Sequence, residues 1–192
     1  MKNILIINGH PNPDSFNFAL AKSYKEGALK SGHQVDEIII ANLEFNPNLE
    51  FGYQKRTELE PDLLQAWEKV KKADHLVWVH PVWWGGLPAI MKGFIDRLFL
   101  PGLTFKPKPD SIWWDKLLTG KSARIITTMD QSGWYYRIFN HQPSVHQLKK
   151  GTLEFCGVKP VRVSYIGVIK TSITQKREQW MKQMKELGAR GK

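Results

Sequence analysis

Five strand-like stretches, at 3–8, 34–40, 73–80, 121–128 and 158–166, the first of them a continuous apolar run, alternate with stretches that repeat apolar residues every three or four positions. This alternation limits the fold more than any other feature. A short, continuous apolar run reads as a strand buried on both faces. The intervening patterns at 15–29, 61–72, 87–99, 144–155 and 174–187 read as helices, one opened by Pro61 and one stopping before Gly157. The order βαβαβαβαβα implies an α/β fold: one five-stranded parallel sheet with helices on both faces, in a single domain over 1–192. Ligands of such sheets bind at the carboxyl ends of the strands. The chemistry is therefore expected in loops 9–17, 80–87 and 127–141. Stretches 42–60 and 101–119 are long for simple connections, and the first reads as a functional or interface loop. The tail at 188–192 is expected to fray.

Composition narrows the function class. No apolar run approaches the ~20 residues of a membrane span. Met1-Lys2 leads straight into the first strand, so no signal peptide is expected. Cys156 is the single cysteine, which excludes an intramolecular disulfide and a Cys-rich metal site. A cytoplasmic location is expected, with a peripheral position at the inner membrane face compatible with the net charge of +10. That charge favours anionic partners. The lysines are dispersed, with small clusters such as Lys69/Lys71/Lys72, and no arginine-rich arm occurs. A solvated basic surface explains this better than a nucleic-acid face.

The three loops are rich in marked residues. The first, Gly9 to Asn17, ends at a helix N-terminus, where free amides and the helix dipole favour an anion. His10, Ser15 and Asn17 add side-chain donors. Neither Gly-x-Gly-x-x-Gly nor Gly-x-x-x-x-Gly-Lys-Ser/Thr is present, so phosphate is expected here without a dinucleotide or NTPase fingerprint. The second loop holds Pro81, Val82, Trp83 and Trp84. Two adjacent tryptophans do not both point into one core, so at least one should face a pocket, a ligand or a partner chain. The third loop runs from Thr127, Thr128, Met129 and Asp130 through Tyr135 to His141, and His141 suits proton supply near neutral pH. An anion cradle, an aromatic wall and a polar wall together fit a phosphorylated planar heterocycle, and a flavin mononucleotide moiety would use all three.

These residues also carry a resemblance. Gly-His-Pro…Ser-Phe-Asn at 9–17, the long run Pro-Val-Trp-Trp-Gly-Gly-Leu-Pro-Ala-Ile-Met-Lys-Gly-Phe-Ile-Asp-Arg at 81–97, and Leu-Glu-Phe-Cys-Gly-Val at 153–158 resemble the flavodoxin-like NAD(P)H:quinone oxidoreductases. That family includes ancillary proteins of potassium-efflux systems. The resemblance implies non-covalent flavin (FMN or FAD), NADH or NADPH as co-substrate, and two-electron transfer to quinone-like acceptors, with azo and nitro compounds as alternatives. It also implies a homodimer. His10, Ser15, Phe16 and Asn17 would contact the flavin phosphate and ribityl chain. Pro81, Val82, Trp83 and Trp84 would meet the ring edge, and Thr127, Thr128, Met129 and Asp130 the pyrimidine end. The family places a Tyr and a His eight and fourteen residues after the first of two threonines, which assigns catalytic roles to Tyr135 and His141. Met129-Asp130 stand where the mammalian enzyme has two glycines. A regulatory subunit of a membrane transporter is the alternative function.

Overall fold

A computed structural model describes residues 1–55 and 57–192. Strands β1 (Asn3–Asn8), β2 (Gln34–Ile39), β3 (His75–Pro81), β6 (Ser122–Thr128) and β7 (Val161–Ile166) form a parallel sheet in the order β2-β1-β3-β6-β7. The order reverses between β1 and β3, where diverging connections leave a crevice at the carboxyl edge. This is the expected sheet.

Side-chain parity builds two cores on it. Ile4 and Ile6, Val77 and Val79, and Ile126 face α1 (Phe16–Lys30) and α6 (Thr174–Ala189). Leu5 and Ile7, Leu76 and Trp78, and Ile125 face α2 (Pro61–Lys72), α3 (Ala89–Leu98) and the segment that starts as α5 (Pro143–His146). Both faces of the central strands are apolar, which is why β1 and β3 read as continuous rather than alternating, whereas the edge strands β2 and β7 mix buried and exposed positions. Helices α1 and α6 cross at glycines: a Cβ on Gly27 would lie 1.9 Å from the Lys185 carbonyl oxygen, and one on Gly188 2.0 Å from that of Tyr24.

Four details differ from expectation. The 101–119 stretch contains an antiparallel hairpin, β4 (Phe105–Pro107) with β5 (Trp114–Lys116). Its Trp114 stacks on Phe155 at 4.1 Å and donates its indole N–H to the Phe155 carbonyl at 2.9 Å. The third loop contains a short helix, α4 (Gly133–Ile138). Beyond α5 the backbone widens to a π-helix over Gln147–Glu154, where the Thr152 hydroxyl donates to the Gln147 carbonyl. The tail does not fray. Lys2 Nζ donates to the Gly191 carbonyl at 2.8 Å, and both Tyr24 and Arg124 donate to Lys192. The hairpin and the tail depend on partners distant in sequence, which local pattern does not reveal.

Part of the 42–60 stretch is anchored on α3 through Phe45, Pro47 and Glu60. Phe45 meets Phe94 edge-on, and Pro47 sits so close to α3 that a Cβ on Gly93 would lie 2.4 Å from it. Arg97, 1% exposed, donates both terminal nitrogens to the Glu60 carboxylate at 2.9 and 2.8 Å, and also to the carbonyls of Asn46 and Glu58.

Two buried histidines set a pH dependence. Burial, reinforced by Lys2 and Arg124, pushes His75 down to about 3, and burial pushes His80 down to about 4. An unfolded histidine titrates near 6.5. Below that pH the unfolded chain takes up protons that the folded chain refuses, so stability present above pH 6.5 is lost on acidification. The slope is about 1.4 kcal/mol per pH unit per histidine, flattening as each folded value is passed. The melting temperature should fall steadily from pH 7 to pH 4.5, and His75→Gln should make that fall shallower. A melting temperature flat over this range would refute the assignment.

Candidate functional site

Strands β1, β3 and β6 end side by side, with Asn8 paired to Val79, and Pro81 to Thr128. The first loop is shaped by a relay of local bonds. Asn8 Oδ1 accepts from the His10 amide, His10 Nδ1 from the Asn12 amide, and Asn12 Oδ1 from the Asp14 amide, at 2.9 to 3.0 Å. An accepting Nδ1 leaves the other ring nitrogen of neutral His10 as the donor, and burial draws the His10 pKa below its ordinary value. The relay delivers the chain to α1 with Ser15 at the N-cap.

Ser15 does not cap the helix. Its hydroxyl is buried without a partner. In the first turn Asn17, also buried, accepts from the Thr128 hydroxyl at 2.9 Å, yet its Nδ2 has no partner, and neither does that of Asn8. A buried polar group left unpaired costs about 1–3 kcal/mol. Three in one corner, beside the Phe16 and Asn17 amides at the start of α1, match the needs of an anionic ligand. Sequence reading missed a fourth contributor. Arg177 of α6 lies over the Phe16 ring, 5.4 Å from its centroid, held by Ser172 and the Ile169 carbonyl. It brings positive charge to the same corner from the far end of the chain.

The second loop is a tight turn. Trp83 and Gly86 exchange backbone hydrogen bonds at 3.2 and 2.8 Å, with Trp84 and Gly85 both left-handed at φ 50° and 77°. This is the geometry of a type I′ turn, which suits Asn-Gly. A tryptophan there carries about 1–2 kcal/mol of strain. Neither tryptophan enters the core: Trp83, 43% exposed, meets the His10 ring edge-on at 5.5 Å, while Trp84 is fully exposed. Val82 is tied by its amide to the Thr128 carbonyl at 2.7 Å, which sets the Pro81–Val82 backbone against the third loop.

In the third loop parity separates the two threonines. Thr128 reaches Asn17 on the α1 face, whereas Thr127 lies one residue before it, so its buried hydroxyl points to the α3 face. Only its backbone is positioned for the crevice. Met129 packs beside Tyr136 and Val145, and its amide donates to the Ile166 carbonyl. Asp130 accepts from the Lys170 amide at 2.7 Å. Tyr135 is partly exposed and stacks on Phe139 at 5.0 Å; His141 is exposed on left-handed backbone at φ 52°. The structure thus joins His10, Ser15, Phe16, Asn17, Trp83 and Thr128 into one corner. Tyr135 and His141 lie further along the third loop, both exposed. Among the described residues no cluster of His, Cys, Asp and Glu suits a metal ion, and no helix is long and apolar enough to cross a membrane.

Comparison with known proteins agrees with this architecture. Residues 2–190 match the model of a family described by its flavodoxin-like fold. A Haemophilus influenzae protein named an uncharacterized NAD(P)H oxidoreductase is 30% identical over 173 residues, covering 87% of this chain and 84% of that one. The human ribosyldihydronicotinamide dehydrogenase [quinone] is 29% identical, covering 82% and 78%. A solved Streptococcus mutans structure superposes with a TM-score of 0.83 at 28% identity over 98% of this chain and 99% of that one. An NAD(P)H:quinone oxidoreductase from Methanothermobacter marburgensis shares the fold, with a TM-score of 0.81 at 21% identity over 98% and 96%. The chain belongs to this flavodoxin-like family, among relatives named NAD(P)H oxidoreductases and quinone dehydrogenases.

Proposed function

We propose that the protein is a flavin-dependent NAD(P)H:quinone oxidoreductase. The observation that carries this reading is the corner of unpartnered donors at the start of α1, beside the exposed Trp83–Gly86 turn. The names of its relatives supply the reaction class, and a Bacillus anthracis azoreductase solved in complex with FMN shares the fold. When bound, the flavin would supply two-electron chemistry between a nicotinamide and a flat acceptor.

The chain's own contribution is placement. The first-turn amides of α1, Ser15, Asn17 and the His10 ring N–H would hold the phosphate and ribityl chain, with Arg177 balancing the charge. Beside them a groove of about 630 Å³ runs from Asn8 and Ser15 along α1 to Lys22 and Lys25. Pro81 to Trp84 would line the ring edge. Amides from Asp130 onward would face the pyrimidine end, because the Met129 amide already serves Ile166. Tyr135 and His141, exposed further along the third loop, would deliver or hold a proton. One open face serving both substrates in turn predicts ping-pong kinetics. The exposed Trp84, Trp134, Ile138 and Phe139 would be covered by a second copy in a homodimer. The acceptor class spans quinones and, as the second reading from the azoreductase likeness in fold, azo compounds.

The test is flavin titration. Wild-type protein should quench added FMN or FAD on binding. Asn17→Ala should weaken binding about 10-fold or more, as loss of about 1.4 kcal/mol or more of hydrogen bonding requires. Protein that binds neither flavin would overturn the reading.

A further inference from the structure

We infer that Tyr136 is a positioning residue that locks the Trp83–Gly86 turn and couples it to the His141–Gln142 bend. The inference rests on the proposed flavin site, because that turn forms its aromatic wall.

Tyr136 is fully buried, unlike its neighbours Trp134 and Tyr135. Its hydroxyl donates to the Gly85 carbonyl at 3.1 Å. The same oxygen lies 2.6 Å from Ser144 Oγ and accepts from the Ser144 amide at 3.1 Å. With its proton on Gly85, the Tyr136 oxygen receives the Ser144 hydroxyl proton, so its one donor and two acceptor positions are all filled. The Ser144 amide also reaches the Gly85 carbonyl at 3.2 Å. Gly85 is therefore gripped from two sides by one buried pair. The main chain of Tyr136 extends the link: its carbonyl accepts the Gln142 amide at 3.0 Å, and Gln142 follows His141, both on left-handed backbone. Tyr165 completes the brace by donating to the Gln142 side chain.

The location of this brace is informative. A type I′ turn with Trp at its first central position is strained, and strained backbone persists where surrounding structure over-determines it. The Tyr136–Ser144 pair is that determinant. It holds Trp84 outward and Trp83 against His10, so the wall is formed before any ligand arrives. A ligand then gains affinity from a surface already ordered.

The experiment uses Tyr136→Phe, Ser144→Ala and Trp84→Asn in the full-length protein. Asn-Gly adopts the turn without strain, so the brace should matter less in that background. In the wild-type background Tyr136→Phe should weaken FMN binding about 10-fold. In the Trp84→Asn background the same change should weaken it no more than about 2-fold, and this coupling isolates the turn from general destabilisation. Hydrogen exchange at the Gly86 amide should rise in Tyr136→Phe while that of Ile6 in β1 stays protected. Equal penalties in both backgrounds, or unchanged Gly86 exchange in folded Tyr136→Phe, overturn the inference. If wild-type protein binds no flavin, the functional reading fails, and Gly86 exchange alone still decides the brace. If Tyr136→Phe does not fold, Ser144→Ala takes its place with the same expectations.

Discussion

Alanine at Gly27 should destabilise the protein by about 3 kcal/mol or more. The sign is the reverse of the ordinary one, because alanine in a helix interior usually gains up to about 1 kcal/mol over glycine. Here the added carbon would lie 1.9 Å from the Lys185 carbonyl oxygen and 2.7 Å from its carbon. Those are backbone atoms of α6, so no side chain rotates away. The helices must separate or slide, and the buried Leu20, Tyr24, Trp180 and Met184 between them loosen with the motion. The consequence reaches the site. Helix α1 presents Ser15 to Asn17, and α6 carries Arg177 over Phe16, so a slide alters the spacing of the anion cradle. Gly188→Ala should behave alike, since its Cβ would lie 2.0 Å from the Tyr24 oxygen. Gly151 is the control: nothing lies within 4 Å of its Cβ position, and alanine there should be neutral or mildly stabilising. Urea unfolding of the three variants measures this, and a Gly27→Ala midpoint at or above the wild-type value would refute the tight crossing.

The strands and the loops that matter were legible in sequence because both depend on local pattern. Continuous apolar runs such as Ile4 to Ile7 signal burial on both faces, and strand-helix alternation fixes which strand ends carry the site. That Trp83 and Trp84 do not both enter the core followed from their adjacency. What stayed hidden depends on partners far apart in sequence. Nothing near Arg177 marks it as a neighbour of Phe16. Thr127 and Thr128 look equivalent as letters, and only strand parity separates them. Tyr136 looks like one more aromatic in a run with Trp134 and Tyr135, although it alone of the three is fully buried. A single signal was available for the 42–60 segment: Arg97 stands on the apolar face of a helix pattern, and a guanidinium in that position needs an anionic partner.

That partner defines the second large effect. Arg97→Met, which keeps an apolar stem in the space, should destabilise the protein by about 2–3 kcal/mol: charge-assisted hydrogen bonds are lost, but the Glu60 side chain left behind is 28% exposed and regains water. The change strips Glu60 of a bidentate donor and leaves the Asn46 and Glu58 carbonyls without the guanidinium. Burial by itself would raise the Glu60 pKa, but hydrogen bonds from Arg97 and the Asn46 amide, with the Arg97 charge, hold it below the usual carboxylate value. A depressed carboxyl pKa adds stability that is fully present above the unfolded value, near 4.3, and is lost as pH falls through the folded one. The wild type should therefore lose this contribution on acidification while Arg97→Met keeps only the smaller share that the Asn46 amide supplies, and the gap between them should narrow from pH 7 to pH 3. Denaturant unfolding at both pH values reads the gap directly. A loss under about 1 kcal/mol at pH 7, or a gap that does not change with pH, would mean that Pro47 on Gly93 and Phe45 on Phe94 hold the segment by apolar contact alone.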